Sequence, residues 1–262
     1  EIQKFISQKA REEGWTKIQA GKPVNKKVAI IGFGGAGIAC AVTLIEAGIE
    51  VTVYEAAGYP GGTAEAVIPF ERLPKDVFKT EVESLALEET GLFEIKYNTP
   101  IGDDRTLDNI ISEGYEAVFV GAGMCKTSTI DMGNRPAGVY DAMNFLYQNK
   151  TDGLEYTEDM KAAVIGGGNT AMDAVASLKK RGLRNVYLIY RRSFKELPAW
   201  KEEVRHALDL GVHFMILSQP IGYEGKEKLE GVRISHTMLG EPDDSGRARP
   251  VIIPESDYKL PI

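Results

Sequence analysis

Two short glycine-rich segments carry the most specific chemistry in the chain: Gly32-Phe-Gly34-Gly-Ala-Gly37 and Gly166-Gly-Gly168-Asn-Thr-Ala171. Both follow an apolar run and open a helix-like stretch, which is the context a G-x-G-x-x-G/A turn needs. In the first, Gly32 permits the tight turn, Gly34 lets backbone approach a pyrophosphate, and Gly37 lets helix pack on strand. The helix N-terminus then faces the phosphates with unpaired N–H groups and the positive end of its dipole. In the second, Gly166, Gly167 and Gly168 do the same work and Ala171 takes the place of the third glycine, which the pattern tolerates.

The ends of the following strands separate the two sites. Glu55 stands 23 residues after Gly32, where a carboxylate can hold a ribose hydroxyl pair. After Gly166 the corresponding strand ends in Tyr190-Arg191-Arg192. Two guanidinium groups suit a 2′-phosphate, because each is always charged and can bond bidentately. Two dissimilar dinucleotide sites in one chain point to FAD at the first and NADPH, in preference to NADH, at the second.

The elements around these turns read as two βαβ units. Lys27–Ile31 is a short apolar strand, residues 38–47 a helix ended by Gly48, and Glu50–Tyr54 a second strand. A Pro-Gly-Gly turn ends at Gly61-Gly62, a helix is expected near 75–89, and strands at 94–97 and 117–120. The pattern restarts 134 residues on, with strands at 162–165 and 186–190 and a helix over 171–181 between them. A helix at 199–210, a strand at 212–217 and a hairpin formed by 229–238 and 249–253 follow. Residues 1–15 have the spacing of an amphipathic helix. The expected fold is α/β, with two Rossmann-like dinucleotide-binding domains in three layers and an added β-hairpin or meander.

Composition narrows the remaining classes. The net charge of −7 and the scatter of Arg181, Arg184 and the two strand-end arginines argue against a nucleic-acid face. Val28 to Ile45 runs 18 residues without a charge and imitates a membrane span, but Gly32, Gly34, Gly35 and Gly37 would break a spanning helix. No basic-then-apolar leader is visible, and a reducing, cytoplasmic setting is expected. Two cysteines, Cys40 and Cys125, cannot hold a four-thiolate cluster or form a C-x-x-C pair. His206, His213 and His236 have no partners at metal-ligand spacing. Asp103-Asp104 and Asp243-Asp244 read as turns. Glycine is in surplus, 28 of 262 against about 18 at ordinary usage, and the glycines of the turns account for it.

The chain resembles the FAD- and NADPH-binding module of the glutamate synthase small subunit. That module is shared with dihydropyrimidine dehydrogenase and with selenate-reductase-like iron–sulfur flavoproteins. The resemblance rests on Ile68-Pro69, Arg72-Leu73-Pro74-Lys75, the run from Val164 to Asp173, Tyr190-Arg-Arg-Ser193, and the run from Leu239 to Gly246 followed by Arg249-Pro250. It implies that Gly35, Ala36 and Gly37 lie against the FAD pyrophosphate and that Glu55 holds the adenosine ribose. Gly61, Gly62 and Arg72 would line the flavin side, with Ile101 near the adenine. Gly123 would close the Gly121-Ala122-Gly123 segment, where most of the group has Ala-Thr-Gly. Gly167, Gly168, Asn169 and Thr170 would cradle the NADPH pyrophosphate, and Arg191 and Arg192 would take the 2′-phosphate. Gly35 stands where the group usually has proline, which loosens the turn.

The same resemblance implies domains at 1–24 (a linker helix leaving an iron–sulfur domain), 25–150 (FAD) and 151–262 (NADPH, inserted in the first). In the family the chain continues, so 262 residues read as part of a longer one. The implied reaction is hydride transfer from nicotinamide to flavin, with electrons passed to [4Fe–4S] clusters on another domain or subunit. The chemistry belongs to the cofactors, so no catalytic acid or base is named. Reverse or bifurcating electron flow and a non-catalytic nucleotide-binding scaffold are the alternatives.

Overall fold

The computed structural model describes residues 2–124, 130–151, 153–244 and 246–262. Glu1, Cys125 and Ser245 lie outside the described residues. The chain divides into two compact units, Glu1–Lys126 and Thr127–Ile262.

The first unit opens with α1 (Ile2–Glu12), followed by β1 (Lys27–Ile31), α2 (Gly35–Glu46) and β2 (Glu50–Tyr54). Next come α3 (Gly62–Val67), α4 (Val77–Ser84), a 3-10 turn at Leu87–Thr90, β3 (Phe93–Lys96), α5 (Leu107–Ser112) and β4 (Ala117–Val120). The strands form one parallel sheet in the order β3-β2-β1-β4. β1 and β2 are buried along almost their whole length, which is why β1 reads as an unbroken apolar run and why even Thr52 of β2 is buried. α2 covers them with Gly37, Ala41 and Ile45, one residue per turn on a single face. Ile30, Phe33, Ala41, Ile45, Val51, Val53 and Leu87 form the core between them.

Two expected helices are shorter than their periodicity suggests. α1 stops at Glu12 because Gly14 turns left-handed (φ 70°), and Trp15 N–H returns to the Ala10 carbonyl at 2.8 Å. The stretch near 75–89 breaks at Ala86, which sits at φ 52° and splits α4 from the 3-10 turn. The uncharged run from Val28 to Ile45 is β1, a turn and α2, and no helix among the described residues is long and apolar enough to cross a membrane.

The second unit contains α6 (Ala142–Lys150), β5 (Lys161–Ile165), α7 (Asn169–Lys180), β6 (Asn185–Tyr190), a 3-10 turn at Phe194–Glu196, α8 (Lys201–Asp209) and β7 (His213–Ile216). β5, β6 and β7 form a parallel sheet with β6 central. Beyond it lie β8 (Ser218–Glu224), β9 (Gly231–Pro242), β10 (Ala248–Ile252) and β11 (Tyr258–Pro261). β9 pairs antiparallel with all three of the others. Its partners slip register at Pro220/Gly222 and at Ala248/Pro250, as strands must where a proline has no N–H for the ladder. α6 packs on α7 and falls in the second unit.

Candidate functional site

The first glycine turn is built by close backbone approaches. Gly32 (φ 92°) donates its N–H to the Tyr54 carbonyl at 2.8 Å, and a Cβ there would stand 2.6 Å from the Gly121 oxygen. At Gly37 a Cβ would come within 2.0 Å of the Gly32 oxygen, so the helix can lie this near the strand only without a side chain. Gly34 and Gly35 differ from these two. A Cβ on Gly34 would meet only the Gly62 Cα at 3.8 Å, and one on Gly35 would meet nothing. The first turn of α2 therefore presents bare backbone, and its N-cap Gly34 has no side chain to cover the amides. That is the surface a pyrophosphate needs.

Gly61 and Gly62 lie against the same turn. Gly61 (φ 114°) donates its N–H to the Phe33 carbonyl at 2.9 Å, and a Cβ on Gly62 would be 3.2 Å from the Gly34 Cα.

Glu55, at the end of β2, is buried. Its Oε2 accepts the Phe33 N–H at 2.6 Å and its Oε1 the Ala57 N–H at 2.8 Å. A carboxylate offers about four acceptor positions, so two remain for the hydroxyls of a ribose. The same side chain thus shapes the glycine turn and can hold a ligand. Ile101 packs with Ala29, Tyr54 and Ile110 beneath this strand end. Ala36, Arg72 and Gly123 are exposed, Gly123 at φ 72°.

Gly35 is the first residue of α2, a position whose N–H has no intrahelical acceptor. The preceding Gly34 is extended (φ −77°, ψ −172°), which is compatible with a following proline. Gly35→Pro should therefore raise stability by about 0.4–1 kcal/mol through the unfolded chain. A thermal-unfolding midpoint equal to or below that of the parent protein would contradict this.

The second turn repeats the geometry with different reasons for its glycines. Gly166 (φ 137°) donates to the Ile189 carbonyl at 3.0 Å. Gly167 is buried, and a Cβ there would lie 2.7 Å from both Leu197 and the Tyr190 ring. Its missing side chain makes room for protein. Gly168 caps α7, and an added Cβ there would have nothing within 4 Å, so it is the glycine of this turn with open space beside it. Ala171 stands buried at the third position, and a Cβ added to Gly166 would meet it at 3.6 Å, an ordinary contact. Thr170 is exposed beside it, whereas Asn169 spends its Oδ1 on the Trp200 N–H at 3.0 Å, tying α7 to the start of α8.

The two arginines part company. Arg191 is exposed, and its side chain makes no hydrogen bond or ion pair among the described residues. Arg192 is 5% exposed: Nε donates to the Ala248 carbonyl at 2.7 Å and Nη2 to the Asp243 carboxylate at 2.6 Å. Asp243 does close the β9–β10 turn as expected, its N–H donating to the Arg247 carbonyl at 2.8 Å. Asp243 also reaches Arg192, 51 positions earlier, a contact that no local pattern announces. Next to this pair, Ser193 and Glu196 form a capping box, with the Ser193 hydroxyl 2.6 Å from Glu196 Oε2. That hydrogen bond, with the Ser193 N–H, holds the Glu196 carboxyl below its ordinary pKa against the opposing effect of desolvation.

The pyridine nucleotide-disulphide oxidoreductase family model matches residues 26–243. The glutamate synthase [NADPH] small chain of Escherichia coli K12 is 37% identical over 275 residues, an overlap of 99% of this chain and 57% of that protein. The NADP(+)-dependent formate dehydrogenase subunit beta of Moorella thermoacetica is 40% identical over 240 residues, covering 90% of this chain and 33% of that one. Among solved structures, Mycobacterium tuberculosis FprA in complex with NADPH has a TM-score of 0.74 at 20% identity, over 92% of this chain and 69% of its own. The likeness to FprA is one of fold. The chain spans 57% and 33% of the length of these two curated relatives.

Proposed function

This chain belongs to the pyridine nucleotide-disulphide oxidoreductase family, and on that premise we propose that it is a flavoprotein electron-transfer module. In this reading it moves a hydride from NADPH to FAD and passes electrons to the iron–sulfur clusters of a larger cytoplasmic oxidoreductase. The observation that carries the reading is the pair of strand–glycine turn–helix sites with opposite charge at their second strands. Glu55 ends one, and the exposed Arg191 ends the other. The names of two relatives, a glutamate synthase small chain and a formate dehydrogenase beta subunit, support the assignment to a multi-subunit enzyme.

When bound, the two cofactors supply the redox chemistry themselves, between nicotinamide and flavin. The chain's own residues bind and orient. The amides at the start of α2, with Gly34 and Gly35 open above them, would receive the FAD pyrophosphate, Gly61-Gly62 would flank it, and Glu55 would fix the ribose. Gly168 and the start of α7 would do the same for NADPH, with Arg191 on its 2′-phosphate. We take residues 25–150 as the FAD region, 151–262 as the NADPH region and 1–24 as a linker, with α6, at the end of the FAD region in sequence, packed on α7 of the second unit. Disulfide exchange, which the family name includes, finds no cysteine pair among the described residues. Gly61-Gly62 is followed by Thr63-Ala64, and Cys40 lies in α2 packed on the core, its thiol pKa raised by burial.

The test is an anaerobic titration of the FAD-loaded full chain with NADPH. Loss of the flavin's visible absorbance is the expected result, with NADH markedly slower. A flavin that stays oxidised while NADPH is bound would refute the proposal.

A further inference from the structure

The buried ion pair between Arg192 and Asp243 bears on how the second site tells its nucleotides apart. Arg192 has two of its five N–H donors committed within the second unit, one to the Ala248 carbonyl and one to the Asp243 carboxylate. The residue carrying this guanidinium is 5% exposed, while Arg191 stands in solvent. The backbone of the pair is clamped as well. The Arg191 carbonyl accepts the Thr237 hydroxyl at 2.8 Å, and the Arg192 carbonyl accepts the Leu217 N–H at 3.0 Å. Asp243 is held from its own side, since its Oδ1 accepts the Arg247 N–H at 3.3 Å and its carbonyl the Gly246 N–H at 2.8 Å.

We infer that Asp243 is a specificity-determining positioning residue of the second site. Through its ion pair it withdraws Arg192 from the 2′-phosphate and leaves Arg191 as the arginine that reads it. Two physical arguments support this. A phosphate brought to Arg192 would sit beside the Asp243 carboxylate, and two anions sharing one buried guanidinium repel. Exchanging Asp243 for phosphate would take its guanidinium partner from a carboxylate that is itself only a quarter exposed. Asp243 therefore lowers the preference for a 2′-phosphorylated nucleotide below what two free arginines would give. The inference rests on the assignment of NADPH to the second turn.

Adenosine 2′,5′-bisphosphate and 5′-AMP separate these claims, because they differ only in the 2′-phosphate and need no flavin. Their dissociation constants would be measured by calorimetry on the full chain. The parent protein should bind the bisphosphate at least tenfold more tightly than 5′-AMP, and Arg191→Ala should bring that ratio close to one. Arg191 is exposed, so this variant carries little folding risk. Asp243→Asn, nearly isosteric, should release Arg192 and raise the ratio about tenfold. A ratio that survives Arg191→Ala, or fails to rise in Asp243→Asn, would overturn the inference and leave the NADPH assignment standing. A parent protein that binds both ligands equally, or neither, would remove the NADPH assignment itself.

Discussion

Gly37→Ala is expected to lower the stability of the first unit by about 3 kcal/mol, the upper part of the usual cost of overpacking. The added methyl would lie 2.0 Å from the Gly32 oxygen and 3.0 Å from its carbonyl carbon, both backbone atoms that cannot rotate away. Relief requires α2 to lift from β1, and Ala41 and Ile45, which share its buried face, lift with it. The control is Gly35→Ala on the same helix, where nothing lies within 4 Å of the new atom. There, loss of glycine's backbone freedom should stabilise by a few tenths of a kcal/mol up to about 1. Urea midpoints of the two variants should move in opposite directions. Equal shifts would mean that the approach of helix to strand does not decide which glycines the turn requires.

Glu55→Ala should be comparably damaging, about 2–4 kcal/mol. Two backbone donors, Phe33 N–H and Ala57 N–H, point at its carboxylate from 2.6 and 2.8 Å. Truncation leaves both without this acceptor at a site that is buried in the native fold. Glu55→Gln keeps one acceptor oxygen and turns an NH₂ group toward the other donor, so it should fall between the parent and the alanine variant. Chemical denaturation without added nucleotide reads this effect separately from any loss of ligand. If Glu55→Ala unfolds at the parent midpoint, the carboxylate serves the ligand alone and does not hold the turn.

The sequence is legible where local rules and tertiary demand agree. β1, β2 and β4 lie within the residues expected, because each is a short stretch rich in apolar and β-branched residues between breakers. The positions of Gly32, Gly34 and Gly37 follow from steric rules that operate within a few residues. What is not legible falls into two kinds. α5 begins at Thr106, whose capping box closes on Asn109 rather than on the usual Glu or Gln, and α6 begins at Asp141, which caps Met143 and Asn144 with no strong periodicity behind it. Those signals are present and weak. β8, by contrast, contains Pro220 and Gly222, both turn formers, and becomes a strand only because β9 provides a partner from Gly231 onward. The Arg192–Asp243 pair is of this second kind. So is the role of Gly167, which local pattern assigns to a phosphate and tertiary packing assigns to Leu197 and Tyr190.

The strand orders also set a timetable for assembly. In the second unit each parallel neighbour is reached by a short crossover, Lys161 to Asn185 and Tyr187 to His213. In the first, Lys27 meets Glu50 early, but Val28 must wait for Ala117, 89 residues downstream. If nothing in between is yet ordered, that is about two doublings of loop length beyond the first closure, an entropic cost of about 1.2 kcal/mol against a strand of only four residues. β4 is thus the late arrival of its sheet, while the β1–α2–β2 nucleus can form from about thirty contiguous residues. Gly121, which follows β4 and whose carbonyl confronts Gly32, comes with it. By sequence separation alone, the first glycine turn is expected to take shape before β4 brings its final wall.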